Sequence, residues 1–266
     1  MSWGMPFQWQ KRRKASVEHF LTLSRCYQTC LIRGKVRGGW RSNLYEYTLF
    51  QDWCPDFELG TVSAAQSEAE LARLYFQAFA PAAEEDFRWW SGFSKPQSNR
   101  ALGSLTSELI QLRIRGLPGL YWLQKSELPA LQSVEPIESV SLLPVWDAYM
   151  MAYRQRERIL DSQAYEYIYD RAGNATSVIL QDGRVAGIWQ AEDQPGEKIV
   201  IRAAFFKPPS RTTWKFVEEA ASRIASAGGF KEVRLIRAQL PSKVTLGSKN
   251  RFLYPFGKGV SDSSAE

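Results

Sequence analysis

Basic side chains are concentrated in the first part of the sequence. Residues 1–41 contain nine Lys and Arg residues and one carboxylate, Glu18, which gives this segment a formal charge of +8. The whole chain carries +6, so residues 42–266 carry −2. Guanidinium and ammonium groups gathered in this way suit the phosphates of a nucleic-acid backbone. The alternative is a solvated basic segment that has no partner. The nine residues are Lys11, Arg12, Arg13, Lys14, Arg25, Arg33, Lys35, Arg37 and Arg41.

Residues suited to acid–base chemistry are few. His19 is the only histidine, and its place in a helical pattern favours packing or surface exposure over catalysis. Glu84 and Asp86 form a carboxylate pair shortly after a proline, which indicates charges at the start of a helix rather than a general acid and base. The Gly-Gly pairs are typical of turns and helix ends, not of a phosphate-binding loop. No catalytic residue can be named from these patterns.

Cysteine and tryptophan are the remaining chemically distinctive residues. Cys26 and Cys30 have i,i+4 spacing, but no second Cys/His pair accompanies them, so we predict no metal and no cofactor. With Cys54 the cysteines number three, which argues against a disulfide framework. Trp89 and Trp90 are adjacent, so at most one is expected to face a core, and the other is a candidate for an interface.

Residues 61–126 are predicted to form a winged helix-turn-helix. Three short helical patterns precede two strand patterns, 110–116 and 120–125. In winged-helix DNA readers the third helix enters the major groove and the hairpin contacts the backbone. A small helical bundle with a hairpin lid is the alternative. The DNA contacts expected in this module are Lys95, Arg100, Arg113 and Arg115.

Apolar spacing in this module predicts which side chains face its core. The first helix, 67–79, is expected to bury Leu71, Leu74, Tyr75 and Phe79. The second helix is expected to open at Pro81. The third is expected to run over 97–108 and to bury Leu102, Leu105 and Leu109.

The preceding module, residues 1–60, is predicted to be a partial or second winged helix. An amphipathic pattern over 15–26 is followed by strand patterns over 29–36 and 44–49. The turn between these strands is basic, as expected of a wing. The DNA contacts expected here are Arg33, Lys35, Arg37 and Arg41.

The pattern from residue 138 to 255 becomes mainly β. Short strand patterns, including 165–169, are joined by turns, of which Asp182-Gly183 is a strong hairpin signal. Helical patterns cover 150–160 and 212–227. The sequence predicts a small antiparallel barrel or sandwich. Residues 256–266 are predicted to form a disordered tail.

The chain contains no run of about 18 apolar residues that would span a membrane. Its first 14 residues lack the apolar segment of a secretory signal. A cytoplasmic location is therefore expected, and the sequence does not indicate an oligomeric state.

Several motifs together resemble the AlkZ/YcaQ-like winged-helix DNA glycosylases. The segment 178–189 (VILQDGRVAGIW) is similar to the family's strand pair around DGR.xGxW, and 80–92 (APAAEEDFRWWSG) is similar to its GPAT..D..RWSG segment. Supporting similarities lie at 7–20, at 45–55, and at 142–160, where LLP is followed by Asp147 and an Arg-rich stretch. The resemblance covers most of residues 7–240.

The resemblance implies an α+β protein with tandem winged helix-turn-helix modules followed by a small antiparallel β-barrel. It implies double-stranded DNA as the partner, and excision of alkylated or cross-linked bases in base-excision repair. The family's catalytic Gln-x-Gln motif lies in a first winged helix, upstream of everything matched here. Gln8-Trp9-Gln10 aligns instead with a Trp-rich segment of the second module. The expectation is a chain without the catalytic part, and a non-catalytic DNA-binding or regulatory protein is the alternative.

Overall fold

The computed structural model describes residues 31–37, 44–56, 62–133, 135, 138–244 and 252–257. The chain divides into two compact units, Met1–Ser67 and Glu68–Glu266. Several sequence predictions lie outside the described residues: the helix over 15–26, His19, Cys26, Cys30, Gln8-Trp9-Gln10, Arg41 and the tail beyond residue 257.

The described part of the first unit is an antiparallel hairpin followed by a short helix. Strand β1 (Leu31–Arg37) pairs with β2 (Leu44–Leu49), and helix α1 (Phe50–Trp53) follows. The register shifts between Arg33 and Val36, so the pairing is irregular next to the predicted basic tip.

The second unit begins with three helices and a hairpin, in the order predicted from the sequence. Leu102, Leu105 and Leu109 are all buried, as their spacing predicted. The loop between the two strands is longer than expected and spans residues 113–120, because only four residues of each strand pair. The elements are α2 (Ala64–Phe79), α3 (Glu84–Ser91), α4 (Lys95–Ser104), β3 (Leu109–Leu112) and β4 (Tyr121–Gln124).

Helix α2 buries Tyr75 as its sequence predicted, but the rest of its buried stripe differs from the prediction. Ala72, Tyr75 and Phe76 are buried, whereas Leu74 is half exposed. The tyrosine and phenylalanine rings meet edge to face with centroids 5.1 Å apart. The buried face is therefore set by the aromatic side chains, because they remove more apolar surface from water than a leucine does.

Helix α3 begins later than Pro81 predicted. Ala82 forms an isolated antiparallel bridge with Trp122 of β4, and the two backbones exchange hydrogen bonds of 3.2 and 2.8 Å. This extended backbone delays the helix to Glu84. The bridge also ties the loop before α3 to the β3–β4 hairpin.

The β3–β4 hairpin is followed by three short helices and a five-stranded sheet. The short helices are α5 (Leu128–Gln132), α6 (Ala148–Met151) and α7 (Tyr165–Ile168). The sheet and the helix packed on it comprise β5 (Val140–Leu143), β6 (Val178–Gln181), β7 (Arg184–Gln194), β8 (Lys198–Phe205), α8 (Arg211–Ala227) and β9 (Glu232–Arg237).

The strand order of the sheet is β5-β6-β7-β8-β9, and helix α8 packs on one face. Among the described residues the sheet is open, not a closed barrel, and β8 and β9 are parallel. The prediction of wholly antiparallel pairing is therefore wrong at this edge.

Two local predictions in this region need correction. The helix expected over 150–160 ends at Met151, because the backbone N–H groups of Arg154 and Gln155 donate to the Asp86 carboxylate instead of to helical carbonyls. The strand expected over 165–169 is a helical turn, α7. Alternating tyrosines imitated a strand there, and short apolar runs do not distinguish the two conformations.

The hairpin at Asp182-Gly183 is confirmed. Both residues have positive φ, 52° and 77°, as a type I′ turn requires. Gln181 pairs directly with Arg184 on either side of the turn.

The three-helix module and the sheet share one hydrophobic core. The sheet face opposite α8, which includes Val178 and Ile188, packs in the same cluster as Tyr75, Phe76 and Phe87. Consecutive side chains of a strand point to opposite faces of a sheet. The neighbours of Val178 and Ile188 in sequence, Ile179 and Trp189, therefore belong to the cluster beneath α8. Within the described residues, no helix is long and apolar enough to cross a membrane.

Candidate nucleic-acid interface

The basic residues predicted in the first unit lie on its hairpin. Arg33, Lys35 and Arg37 are exposed in β1. The Arg33 guanidinium carbon lies 4.2 Å from the centre of the Tyr45 ring, and Arg37 Nε donates to Glu46 Oε1 at 2.7 Å. Arg41 and the tip of the hairpin lie outside the described residues. The cation–π contact and the ion pair leave both guanidinium groups exposed to solvent.

The basic residues predicted in the second unit differ in their surroundings. Lys95 is exposed at the start of α4, and Arg113 and Arg115 are exposed in the loop between β3 and β4. Within the described part of the chain these three have no ion-pair partner. Arg100 instead donates to both carboxylate oxygens of Glu68, at 3.0 and 3.1 Å, and thereby joins α4 to α2. Lys95, Arg113 and Arg115 thus remain the freer candidates for phosphate contacts.

The sequence placed Asp86 at a helix start, but it did not indicate that this carboxylate is buried or that it has distant partners. Asp86 is fully buried and accepts three backbone hydrogen bonds. Its Oδ2 accepts from Ala83 N at 3.1 Å, which caps helix α3. Its Oδ1 accepts from the N–H groups of Arg154 and Gln155 at 2.9 and 3.0 Å. Asp86 therefore fastens α3 to a segment that lies far away in sequence.

The DGR turn holds the same segment from its other end. Arg184 Nη1 donates to the carbonyls of Glu157 and Arg158 at 3.3 and 2.8 Å, and its Nη2 pairs with Asp161 at 2.8 Å. The neighbouring Val185 N–H donates to the Ile159 carbonyl at 2.7 Å. Asp86 and Arg184 belong to two different sequence motifs, and both contribute their hydrogen bonds to residues 154–161.

We call residues 154–158 the arginine segment, because its three arginines have distinct environments. Arg154 is exposed, and its guanidinium has no partner among the described residues. Arg156 lies 3.6 Å from the centre of the Tyr169 ring and donates to Tyr165 Oη at 2.8 Å. Arg158 donates to the Pro81 carbonyl at 2.5 Å and lies over the Tyr153 ring. As far as the described residues show, the segment thus presents one cation without a partner, Arg154, and two that are held.

Two tyrosines beside these arginines have raised pKa values. Burial raises the pKa of Tyr153 to about 12, although the Arg158 guanidinium acts to lower it. Burial likewise raises the pKa of Tyr169 to about 12, against the opposing effect of Arg156. Both hydroxyls donate to backbone carbonyls, that of Tyr153 to Phe79 and that of Tyr169 to Met150. These groups are neutral hydrogen-bond donors that fix the backbone around the arginine segment.

The residues that make these contacts lie within a segment that matches a known protein family. Residues 8–227 match the family described as DNA glycosylase AlkZ-like. The match covers most of the chain, and the protein belongs to the AlkZ-like DNA glycosylase family. The resemblance inferred from the motifs is therefore confirmed.

Two comparisons, each with a protein from Streptomyces sahachiroi, show the extent of the similarity. An interstrand DNA cross-link repair glycosylase is 28% identical over 163 residues, which are 60% of this chain and 42% of the relative. The solved structure of the DNA glycosylase AlkZ superposes with a TM-score of 0.65 at 23% identity, over 80% of this chain and 55% of that one. This chain thus spans about half the length of the proteins it resembles, and the structural match supports the mixed α+β fold.

Proposed function

We propose that this protein binds double-stranded DNA in the repair of alkylated or cross-linked bases. The observation that carries the proposal is the match of residues 8–227 to a DNA glycosylase family. The relative from Streptomyces sahachiroi is an interstrand DNA cross-link repair glycosylase, and damaged DNA is the substrate class that its name indicates.

The arrangement of the second unit supports a winged-helix mode of binding. Helices α2, α3 and α4 are followed by the β3–β4 hairpin, and the bridge at Ala82 adds a third extended segment beside β4. In this mode α4 enters the major groove and the β3–β4 loop lies along the backbone. Lys95, Arg113 and Arg115 are then the residues that contact phosphates. The first-unit hairpin, with Arg33, Lys35, Arg37 and Arg41, is the wing of a second such module.

Salt dependence of DNA binding tests this proposal. Each phosphate contact contributes about 0.9 to the slope of log affinity against log salt concentration. Replacing Lys95, Arg113 and Arg115 with Glu is expected to lower that slope by up to about 2.7 and to weaken binding to all duplex sequences alike. Reversing the charges of Arg33, Lys35, Arg37 and Arg41 is expected to lower it as well. Fluorescence anisotropy with a labelled duplex provides the measurement.

The control has the same change in charge on a different surface. Arg211, Lys215 and Arg223 are exposed on α8, the helix that covers the sheet. Their reversal to Glu is expected to leave the salt slope unchanged. If this variant loses as much slope as the Lys95, Arg113 and Arg115 variant, binding depends on net charge alone and the proposed surface is wrong.

For the described residues we propose binding rather than hydrolysis. Cleavage of the glycosidic bond needs a side chain that positions and activates water. The carboxylate of Asp86 is already occupied by three backbone donors, so it does not perform that role. A duplex that carries 7-methylguanine separates the two functions. If the protein releases the base and the Gln8→Ala or Gln10→Ala variant does not, hydrolysis is assigned to this chain. If the protein binds this duplex and releases no base, the non-catalytic alternative is assigned.

A further inference from the structure

Two indole rings and a phenol are exposed beside the arginine segment. Trp89 and Trp90 on α3 are each 39% exposed, and Tyr165 at the start of α7 is 38% exposed. We call these three residues, together with Arg154 and Arg156, the aromatic patch. The adjacency of the tryptophans predicted that at most one would face the core, and the structure leaves both partly in solvent. Exposed apolar side chains that form a contiguous patch often mark an interaction site.

Arg156 is the common neighbour of two rings of this patch, Trp89 and Tyr165. Its guanidinium carbon lies 5.4 Å from the centre of the Trp89 ring and 5.5 Å from that of Tyr165, while it stacks closely on the buried Tyr169. The hydrogen bonds that the N–H groups of Arg154 and Gln155 donate to Asp86 fix the backbone next to Arg156 against α3. The rings are therefore held in place before any ligand arrives, which reduces the entropy lost on binding.

The charge around the patch limits what it can bind. Arg154 is an exposed cation with no partner among the described residues, and Arg156 adds a second positive charge beneath Trp89. Glu85 and Glu157 are exposed nearby on the same two elements, so the surface is not broadly basic. Long phosphate tracts are disfavoured here. One or two phosphates beside a flat apolar group complement it better.

We propose that the aromatic patch binds unpaired nucleotides of a DNA strand, with a base stacked on Trp89 and a phosphate on Arg154. This inference rests on the proposed DNA-binding function. The faces of bases in an intact duplex are covered by their neighbours, whereas an unpaired base offers a free face to an indole. The patch therefore distinguishes DNA with a gap or an unpaired stretch from intact duplex. Winged-helix contacts to the phosphate backbone do not make that distinction.

Trp89→Ala is the decisive variant. Trp89 has a cation–π contact with Arg156, whereas Trp90 also packs on Tyr75 and Phe79, so that its removal would disturb the core as well. Three labelled probes are compared by anisotropy: an intact duplex, the same duplex with a four-nucleotide gap, and the single strand. Trp89→Ala is expected to weaken binding to the gapped and single-stranded probes by about 5- to 150-fold, and to leave the intact duplex within about twofold. Trp89→Phe is expected to restore most of the loss.

Further variants separate stacking from charge and from general damage. Arg154→Glu is expected to lower the slope of log affinity against log salt concentration by about 0.7 for single-stranded DNA. Trp89→Ala is expected to leave that slope unchanged. Leu131→Ala, at an exposed apolar residue on α5, is the control and is expected to bind like the wild type. If wild type binds none of the probes, the proposed function fails and this inference fails with it. If the wild type binds duplex but Trp89→Ala binds every probe as tightly as the wild type does, only the proposed role of the aromatic patch is overturned. The same result is expected if a protein partner or another segment of the chain covers these rings.

Discussion

Asp86 shows at the residue scale how one buried carboxylate can join two distant segments. Its two oxygens serve different purposes: Oδ2 caps α3 through Ala83, and Oδ1 holds Arg154 and Gln155. All three partners are N–H donors, so the side chain must accept on both oxygens. A carboxylate meets this requirement, whereas an amide carries an acceptor on one side and a donor on the other.

Asp86→Asn is therefore expected to destabilise the fold despite its nearly identical shape. When the amide oxygen faces Arg154 and Gln155, the amide nitrogen confronts the Ala83 N–H, and a buried donor loses its acceptor. The expected cost is about 1–3 kcal/mol in the free energy of unfolding, measured by urea denaturation. Glu85→Gln, at an exposed carboxylate on the same helix, is the control and is expected to change stability by less than about 0.5 kcal/mol. Equal stability of the two variants would contradict the bridging role.

Sequence alone could place Asp86 at a helix start but not reveal its second task. The sequence pattern indicates a helix N-terminal charge at this position, and Asp86 does lie in the first turn of α3. Its other partners are 68 and 69 residues away, so no local spacing signals them. The buried stripe of Leu102, Leu105 and Leu109 was predictable because it depends only on helical period. Lys95, Arg100, Arg113 and Arg115 could be proposed as DNA contacts, but only the structure shows that Arg100 is paired with Glu68.

At the element scale, the close approach of β7 and β8 depends on Gly187. A Cβ at this position would lie 2.2 Å from the Ala204 carbonyl oxygen and 3.0 Å from Phe205 Cα, both of which are backbone atoms. Gly187→Ala is therefore expected to force the strands apart and to cost about 1–3 kcal/mol or more. Gly103→Ala in α4 has open space around it and is expected to stabilise the protein by about 0.5–1 kcal/mol. Thermal melts of both variants test the contrast, and a Gly187→Ala melt equal to that of wild type would contradict it.

The parallel pairing of β8 and β9 could have been predicted from the sequence. A strand pattern, a helix over 212–227 and another strand pattern follow one another, and parallel neighbours need a crossover of this kind. The presence of several short strand patterns favoured an antiparallel barrel, although this strand–helix–strand order indicates a parallel pair. The helical turn α7 was less accessible. Tyr165, Tyr167 and Tyr169 alternate as in a strand, and only the hydrogen bond from the Tyr169 N–H to the Tyr165 carbonyl, at 2.9 Å, identifies a helical turn.

At the scale of the second unit, tyrosine hydroxyls connect the helical module to the segment beneath the sheet. Tyr75 donates to the Ala152 carbonyl at 3.0 Å, and Tyr153 donates back to the Phe79 carbonyl at 3.0 Å. Tyr169 donates to the Met150 carbonyl at 2.7 Å. The first two bonds are reciprocal and cross the shared core, and all three depend on protonated phenols. Loss of the protons would remove the donors and leave charges buried in an apolar environment.

The stability of this unit is therefore expected to fall at alkaline pH. The pKa of Tyr153 and of Tyr169 is about 12 in the folded state, against 10.0 for an ordinary tyrosine. The folded state thus holds these protons more tightly than the unfolded state, and the resulting stability is fully present below pH 10 and is lost as the pH rises through 12. Urea denaturation at a series of pH values, with tyrosinate absorbance as a second measurement, is expected to show this decline.

Tyr153→Phe isolates one contribution to that decline. The variant is expected to be less stable than wild type at neutral pH by about 1 kcal/mol, because the Phe79 carbonyl loses its donor. Between pH 10 and 12 it is expected to lose less stability than wild type, because it has one fewer buried phenol to ionise. The two stability curves should therefore converge as the pH rises. Curves that stay parallel across this range would mean that Tyr153 ionises equally in the folded and unfolded states, and that the helical module and the sheet are held together without help from its proton.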